Sequence, residues 1–497
     1  MSLGRQTASG ALWSIAGSLG GRVIGLIGTL LLTRFLSPEA VGEVGVASLI
    51  VLTFGQAASF GFGPFITARP DAGPRAAFHA TVYHVVAGAL SLGLLLLVME
   101  PLGPLFNAPA MATFVPGLGL ALLCDRIGYI PERVLMREMQ FRAVVLARSS
   151  SEVVYAAVTV ATAAAGAGAM SVVYGNIAQS GLRMLAFLAL APRAEWLAPC
   201  PLTRETTREL FRFGLPAAVA GFVHFVSRKW DNLLLARLFG ADVMAQYNLA
   251  YNLADLPASN VAEQVSDVLA PSFGRMKPEE RGPALLRSAG LVALLVFPLA
   301  VGLAAVSGPL VDTIFNEQWQ GIGPLLAILA ALSIARPVIF VVSPFLFAQN
   351  RPSVVMWLEV AKTALLLVAL VVLSAFGVRW ASVGVGVAFA AAAVGAMWIV
   401  HAGHGVPFGR FAGALLRPLR ATAPRAAAVL AVEWALDGRL ASGLVLGAGV
   451  LAGAVVYVPS AVLLVPGAVG DIRVALRQRR GSRSVKPSSD STSTPGS

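Results

Sequence analysis

Long apolar runs separated by short polar loops fill almost the whole chain. Crossing a bilayer as a helix takes about 20 mostly apolar residues. About fourteen runs qualify: 8–33, 41–66, 77–99, 111–130, 143–165, 169–191, 214–236, 243–270, 284–308, 322–348, 353–376, 380–402, 421–437 and 441–465. The pattern predicts an all-α integral membrane protein. In the first run Gly17, Gly21 and Gly25 stand four apart, a spacing that lets another helix approach closely.

The runs are related to one another. Leu32–Ala47 reads LTRFLSPEAVGEVGVA, and Leu235–Ala250 reads LARLFGADVMAQYNLA. Arg34 falls on Arg237, Glu39 on Asp242 and Gly42 on Ala245, at a constant offset of 203 residues (34 to 237, 39 to 242). A second pair, Gly166–Gly175 and Gly377–Gly386, lies at the similar offset of 211 (166 to 377). Internal repeats in a membrane transporter mark two structural halves that rock about a central site. The expected plan is an N-terminal six-helix lobe over 1–200 and a cytoplasmic amphipathic linker over 201–213. A C-terminal six-helix lobe follows over 214–403, then an extra helix pair over 404–470 and a basic, Ser/Thr/Pro-rich tail over 471–497. The two lobes are pseudo-symmetric. The linker mixes Leu202, Leu210 and Phe211 with Arg204, Glu205, Arg208 and Glu209, a composition suited to the membrane surface. The tail opens with Arg477, Arg479, Arg480 and Arg483 and is expected to be disordered and held near anionic lipid.

Composition changes the picture in two ways. Of 497 residues, 57% are hydrophobic and 12% charged, against about 25% charged in soluble domains. The net charge is +12, and its placement orients the chain. Loops after even-numbered spans carry Arg69 and Arg75, then Arg133, Arg137 and Arg142, and later Arg275, Lys277 and Arg281. Loops after odd-numbered spans carry little beyond Arg34, Arg237, Arg379 and Arg439. By the positive-inside rule both termini are cytoplasmic. The basic residues are spread over many loops, which argues against nucleic-acid binding. Cys124 and Cys200 do not suggest a disulfide. Ala8–Thr33 is too long for a signal peptide's apolar core and is expected to stay as the first span.

Ionisable groups inside spans are costly and mark cavities or partners. Arg22, Arg183 and Arg336 have no acidic partner on their own helices and are candidates to line an anion path, since a guanidinium fork bonds phosphate oxygens in pairs. Arg228 and Lys229 are adjacent in the seventh span, close to Asp231. Glu359 and Lys362 share a helix face at i,i+3 and can neutralise each other. The eighth span carries Asn248, Asn252, Asp255, Ser259, Glu263 and Asp267 mainly at four-residue spacing, one drifting stripe. Two readings stand: charge pairing with Arg228 and Lys229, or a wet path in which Asp231, Asp255, Glu263 and Asp267 handle a coupling H+ or Na+. Arg126 and Arg148 are expected to snorkel at span ends. His84, His224, His401 and His404 have no metal-ligand spacing, and no metal site or cofactor is expected.

No Walker loop, HExxH or GxSxG occurs, and the loops are too short for a catalytic domain, so the chain does not read as an enzyme. The stretch from Ala8 through Gly63, with Trp13, Arg22 and the run Thr33–Gly42, resembles the opening of Wzx-type polysaccharide flippases. These belong to the MOP superfamily, with multidrug (MATE) antiporters and lipid II flippases. The resemblance implies two six-helix lobes around a central lumen in the bacterial inner membrane. It implies as substrate an undecaprenyl-diphosphate-linked oligosaccharide, moved from the cytoplasmic to the periplasmic leaflet. A polysaccharide polymerase and glycosyltransferases are the implied partners, with membrane lipid around the polyprenyl tail. The alternatives are a proton- or sodium-coupled multidrug antiporter of the same superfamily, and a membrane polymerase or ligase.

Overall fold

Helix starts and stops follow local chemistry in the computed structural model. It describes residue 25 and residues 28–466, except 69–72, 258–261, 263, 264, 267, 268, 270, 271, 274 and 350. Arg22, Glu263, Asp267, most of the first span and the tail 471–497 lie outside the described residues. The helices are α1 Pro38–Ala57, α2 Phe62–Ala68, α3 Pro74–Leu105, α4 Met111–Arg137, α5 Phe141–Ala164, α6 Met170–Leu190, α7 Arg193–Trp196, α8 Arg204–Phe239 and α9 Ala241–Pro257. They continue as α10 Pro278–Ala305, α11 Ser307–Ile314, α12 Ile322–Leu332, α13 Arg336–Phe347, α14 Pro352–Ser374, α15 Val378–His404, α16 Phe408–Leu436 and α17 Ser442–Leu464. No described residue is in a β-strand. The described residues hold ten helical segments long and apolar enough to span a membrane. The chain is an all-α, multi-pass membrane protein.

The repeated stretch shows how the sequence sets these boundaries. Ser37 caps α1, its Oγ accepting from the Ala40 N–H at 3.3 Å, with Pro38 in the first turn and Glu39 at the positive helix end. In the second copy Gly240, at φ +97°, turns the chain from α8 into α9, a conformation that favours glycine. Apolar length alone missed two breaks. The second predicted span ends at Ala57 and resumes as α2 beyond Gly61, at φ +68°. The tenth is interrupted by a 3₁₀ turn over Ser333–Ala335, just before Pro337, which has no N–H to bond the carbonyl four residues back.

The linker 201–213 is not a separate surface helix. From Arg204 it is the first part of α8, which runs unbroken to Phe239. Its apolar side is buried against protein instead of lipid. Leu210 is fully buried, the Phe211 ring lies 5.3 Å from both Phe60 and Phe62, and Tyr83 Oη shares a 2.7 Å hydrogen bond with Thr207 Oγ1. Phe62, Phe65, Ile66, Ile130 and Trp196 complete that core. Burying these aromatic faces outweighs the membrane surface as a place for them.

The chain forms two compact units, and they do not follow the boundary near 213 that the repeats suggest. The first comprises Met1–Ala254, Leu310–Leu332 and Met356–Ala391, and the second comprises Asp255–Pro309, Ser333–Val355 and Ala392–Ser497. In the second, α16 packs on α17 and on α10. Leu294, Ala421, Ala461 and Val465 form a small core there, and Tyr457 Oη donates to the Leu294 carbonyl at 2.6 Å.

Candidate functional site

The two copies of the repeated stretch meet. Gly42 of the first lies so close to Ala241 of the second that a Cβ on Gly42 would overlap the Ala241 carbonyl. Side-chain donors add to this junction within the first unit. Asn107 Nδ2 donates to the Arg237 carbonyl at 2.9 Å, Asn316 Nδ2 to the Thr33 carbonyl at 3.1 Å and Trp319 Nε1 to the Leu36 carbonyl at 3.1 Å. Glu43 Oε1 accepts from the Ala110 N–H at 3.1 Å. Trp319 is fully buried. The helix ends therefore have their otherwise unpaired backbone groups satisfied by the facing elements, and the two copies pack directly on each other at this end of the first unit.

The charged candidates divide by partner. Arg336, on α13, forms an ion pair with Asp255 of α9. Arg183, on α6, lies 3.4 Å from Asp125 of α4, whose other oxygen accepts from Ser180 Oγ at 3.0 Å. Both arginines lacked an acid on their own helix, and both find one on another. A buried charge is tolerated when a partner removes most of the desolvation cost. The charge pairing expected of the eighth-span acids thus occurs for Asp255, with Arg336 in place of Arg228 or Lys229. Lys362 is paired within its own helix to Glu359, as the i,i+3 spacing predicts. Glu359 also accepts from Ser227 Oγ at 3.2 Å, and Thr363 Oγ1 donates to Ser227 Oγ at 2.7 Å.

Asp231 differs from these. It is 4% exposed and its carboxylate is met by neutral donors, Asn232 Nδ2 at 2.9 Å and Tyr247 Oη at 3.2 Å. An amide chain continues along the stripe read from the sequence: Asn248 Nδ2 donates to Asn232 Oδ1 at 2.8 Å, and Asn252 Nδ2 to Asn248 Oδ1 at 2.9 Å. The chain leads from the buried carboxylate to the exposed Asn252. Arg228 is exposed on α8, one turn after the exposed His224, and Lys229 is half-buried. Neither forms an ion pair with a described residue.

Sequence reasoning placed Arg126 at a snorkelling position. It is instead 7% exposed, inside α4, with Nη1 2.9 Å from His84 Nε2 and Nη2 on the Gly55 carbonyl. The available signal was Asp125-Arg126, a charged pair inside an otherwise apolar run. Arg148 pairs with Glu132 while its own side chain stays 48% exposed, so it reaches outward and is anchored to protein at once.

A family model described as "Polysaccharide biosynthesis protein" matches residues 31–324, more than half of the chain. The lipopolysaccharide biosynthesis protein WzxC of Escherichia coli is 25% identical over 374 residues, 75% of this chain and 76% of the relative. The succinoglycan biosynthesis transport protein ExoT of Rhizobium meliloti is 28% identical over 325 residues, 64% of each chain. The teichuronic acid biosynthesis protein TuaB of Bacillus subtilis is 24% identical, covering 70% of this chain and 73% of its own. Among solved structures, lipid II flippase MurJ in an inward closed conformation superposes with TM-score 0.71 at 15% identity, over 91% of this chain and 98% of that one. An inward-facing MATE multidrug transporter of the MOP superfamily gives TM-score 0.58 at 15% identity, over 81% and 96%. The chain belongs to the polysaccharide biosynthesis protein family, with the helical fold that MurJ and the MATE transporters share.

Proposed function

We propose that this transporter flips an undecaprenyl-diphosphate-linked oligosaccharide from the cytoplasmic to the periplasmic leaflet of the bacterial inner membrane by alternating access. The junction of Gly42 with Ala241 carries the reading: the two copies of the repeat close one end of the first unit on each other. With both termini cytoplasmic, as the loop charges argue, the sealed end is periplasmic and this state takes its load from the cytoplasm. Moving the cargo needs no chemistry, only different affinity in two states.

The diphosphate would be met by Arg228, which is in no described ion pair, and by Lys229, whose charge also acts on Asp231. An exposed arginine inside an apolar helix is expensive against lipid, so its face of α8 lines a watery path. Arg22 remains a candidate of the same kind, whereas Arg183, Arg336 and Lys362 first have to leave their acids. Of the coupling candidates, Asp231 suits H+ or Na+ because its direct donors, Asn232 and Tyr247, are neutral, while Asp255 is occupied by Arg336. A polymerase and glycosyltransferases would supply and consume the cargo. Drug antiport is the weaker reading, since the named relatives serve lipopolysaccharide, succinoglycan and teichuronic acid synthesis.

The test uses the absence of room at Gly42. In a C124A/C200A background, Gly42→Leu should abolish polymer export while leaving insertion intact. It should also make Met244→Cys, at a position 2% exposed, reactive toward a membrane-impermeant maleimide added from the periplasmic side. Normal polymer yield with the leucine in place would show that the seal takes no part in transport.

A further inference from the structure

Two asparagines on matching loops reach across the repeat. Asn107 follows the third span and Asn316 the ninth, at an offset of 209 residues (107 to 316), between the offsets of 203 and 211 that relate the two halves. Asn107 Nδ2 donates to the Ala236 carbonyl at 3.3 Å and to the Arg237 carbonyl at 2.9 Å, both in the second copy of the repeated stretch. Asn316 Nδ2 donates to the Thr33 carbonyl at 3.1 Å, in the first copy. Thr33 and Ala236 are themselves equivalent, at the offset of 203 (33 to 236). Each half therefore lends one amide to the other half. Donor and acceptor are 129 residues apart in one case and 283 in the other, so both bonds exist only while the halves are together. All of these residues lie in the first compact unit.

Local chemistry fits them for this. Ala236 and Arg237 stand in the last turn of α8, where helix carbonyls lack a donor further along their own helix. Thr33 stands in the turn that leads to α1. Asn107 adopts φ +50°, a left-handed conformation in which asparagine is enriched among residues other than glycine. A second contact backs each amide within its own half. Glu43 Oε1 accepts from the Ala110 N–H at 3.1 Å, close after Asn107. Its counterpart Gln246 (43 to 246) packs on Gly321 and leaves no room there for a Cβ. Gly321 matches Ala110 at the offset of 211 (110 to 321).

We propose that Asn107 and Asn316 are paired positioning residues, crossed latches that hold the two copies together at this end and set how readily they part. A neutral amide on a carbonyl suits a contact broken in every cycle, because water replaces it at small net cost. A buried ion pair is far harder to separate. The two latches act in the same direction at separate places, so their effects combine independently. Their part in transport rests on the alternating-access reading, whereas their hold on the two copies does not.

Met244 reports the parting. It lies on α9, 2% exposed, its Cε 3.2 Å from where a Cβ on Gly45 of α1 would stand. The full chain carrying C124A, C200A and Met244→Cys is placed in lipid nanodiscs, open to reagent on both faces, and its labelling by a polar maleimide is timed. Asn107→Gly keeps the left-handed backbone without the amide, and Asn316→Ala removes the other. Each should speed labelling about two- to tenfold, the range of one net hydrogen bond, and together the two factors should multiply. As a control, Leu135→Cys takes the reporter's place at a fully buried position in the core of Phe62 and Trp196. It should stay unlabelled in every variant, which general loosening of the fold would not allow. Should the glycine variant misfold, Asn107→Asp keeps the shape and loses the donors. Unchanged labelling in the double variant, or Leu135→Cys labelled as fast as Met244→Cys, would overturn the proposal. The assay needs no substrate, so failure of the chain to move a lipid-linked saccharide would count against the transport reading and leave the latches standing.

Discussion

Arg126 and Arg336 are both arginines buried inside helices of an apolar chain, and they are satisfied in opposite ways. Arg336 faces a carboxylate, Asp255, brought from another helix. Arg126 faces a neutral imidazole and a backbone carbonyl. The first arrangement cancels charge and is insensitive to any proton that leaves the carboxylate alone. The second keeps a net positive charge and holds only while histidine remains neutral. Two identical side chains are thus held differently, one by an opposite charge and one by neutral acceptors, because of what stands opposite.

The comparison breaks most sharply at Asp255. Asp255→Asn takes from Arg336, 4% exposed, the carboxylate it faces, a loss of up to about 3–5 kcal/mol for a broken buried pair. The expected outcome is a large fall in folded yield and in the thermal unfolding midpoint in detergent. Asp255→Asn combined with Arg336→Gln should recover most of it, because cation and carboxylate are removed together. A double variant as unstable as the single would show that the pair's geometry, and not its neutrality, is what matters.

Arg126→Gln should cost less than the loss at Asp255. It removes a charge together with two hydrogen bonds to neutral acceptors, about 1–3 kcal/mol, and leaves no opposite charge stranded. Gly88→Ala should act in the same direction by pushing Arg126 off its place, since the new methyl stands 2.8 Å from Cγ. Unfolding midpoints ranked with Arg126→Gln below Asp255→Asn would reverse the comparison and place Arg126 as the dominant clamp.

These residues also show how far the sequence could be read. Helix class, the runs themselves and the repeated stretch were legible because each is a local or periodic property: apolar length, SPE at a helix start, a constant offset. The pairing of Lys362 with Glu359 was legible for the same reason, being set by i,i+3 spacing. The partners of Arg183 and Arg336 were not. Asp125 is 58 residues from Arg183 and Asp255 81 residues from Arg336, and only tertiary packing decides which helices meet. Arg126 was misjudged because hydropathy near a span end cannot distinguish a side chain reaching water from one lying in a slot cut by Gly55 and Gly88. The linker failed similarly: amphipathicity shows that one face of Leu210 and Phe211 needs cover, and leaves open whether lipid or protein supplies it.

Lys362 supplies the smallest effect and the last check. Its ion pair with Glu359 lies along one helix, with Lys362 9% and Glu359 30% exposed, so the half-exposed carboxylate can turn toward water when the buried lysine is removed. Exposed or half-exposed i,i+3 pairs contribute roughly 0–1 kcal/mol. Lys362→Met keeps an apolar side chain of similar length and removes the charge, together with the contact of the ammonium 4.9 Å from the Phe389 ring centroid. Ser227 still donates to Glu359, so that carboxylate is not left bare. The expected shift in unfolding midpoint is correspondingly small, and well below that of Arg126→Gln. A loss as large as that of Asp255→Asn would mean that Glu359 is as dependent on its cation as Arg336 is on its anion. The contrast drawn between pairs within a helix and pairs across helices would then fail.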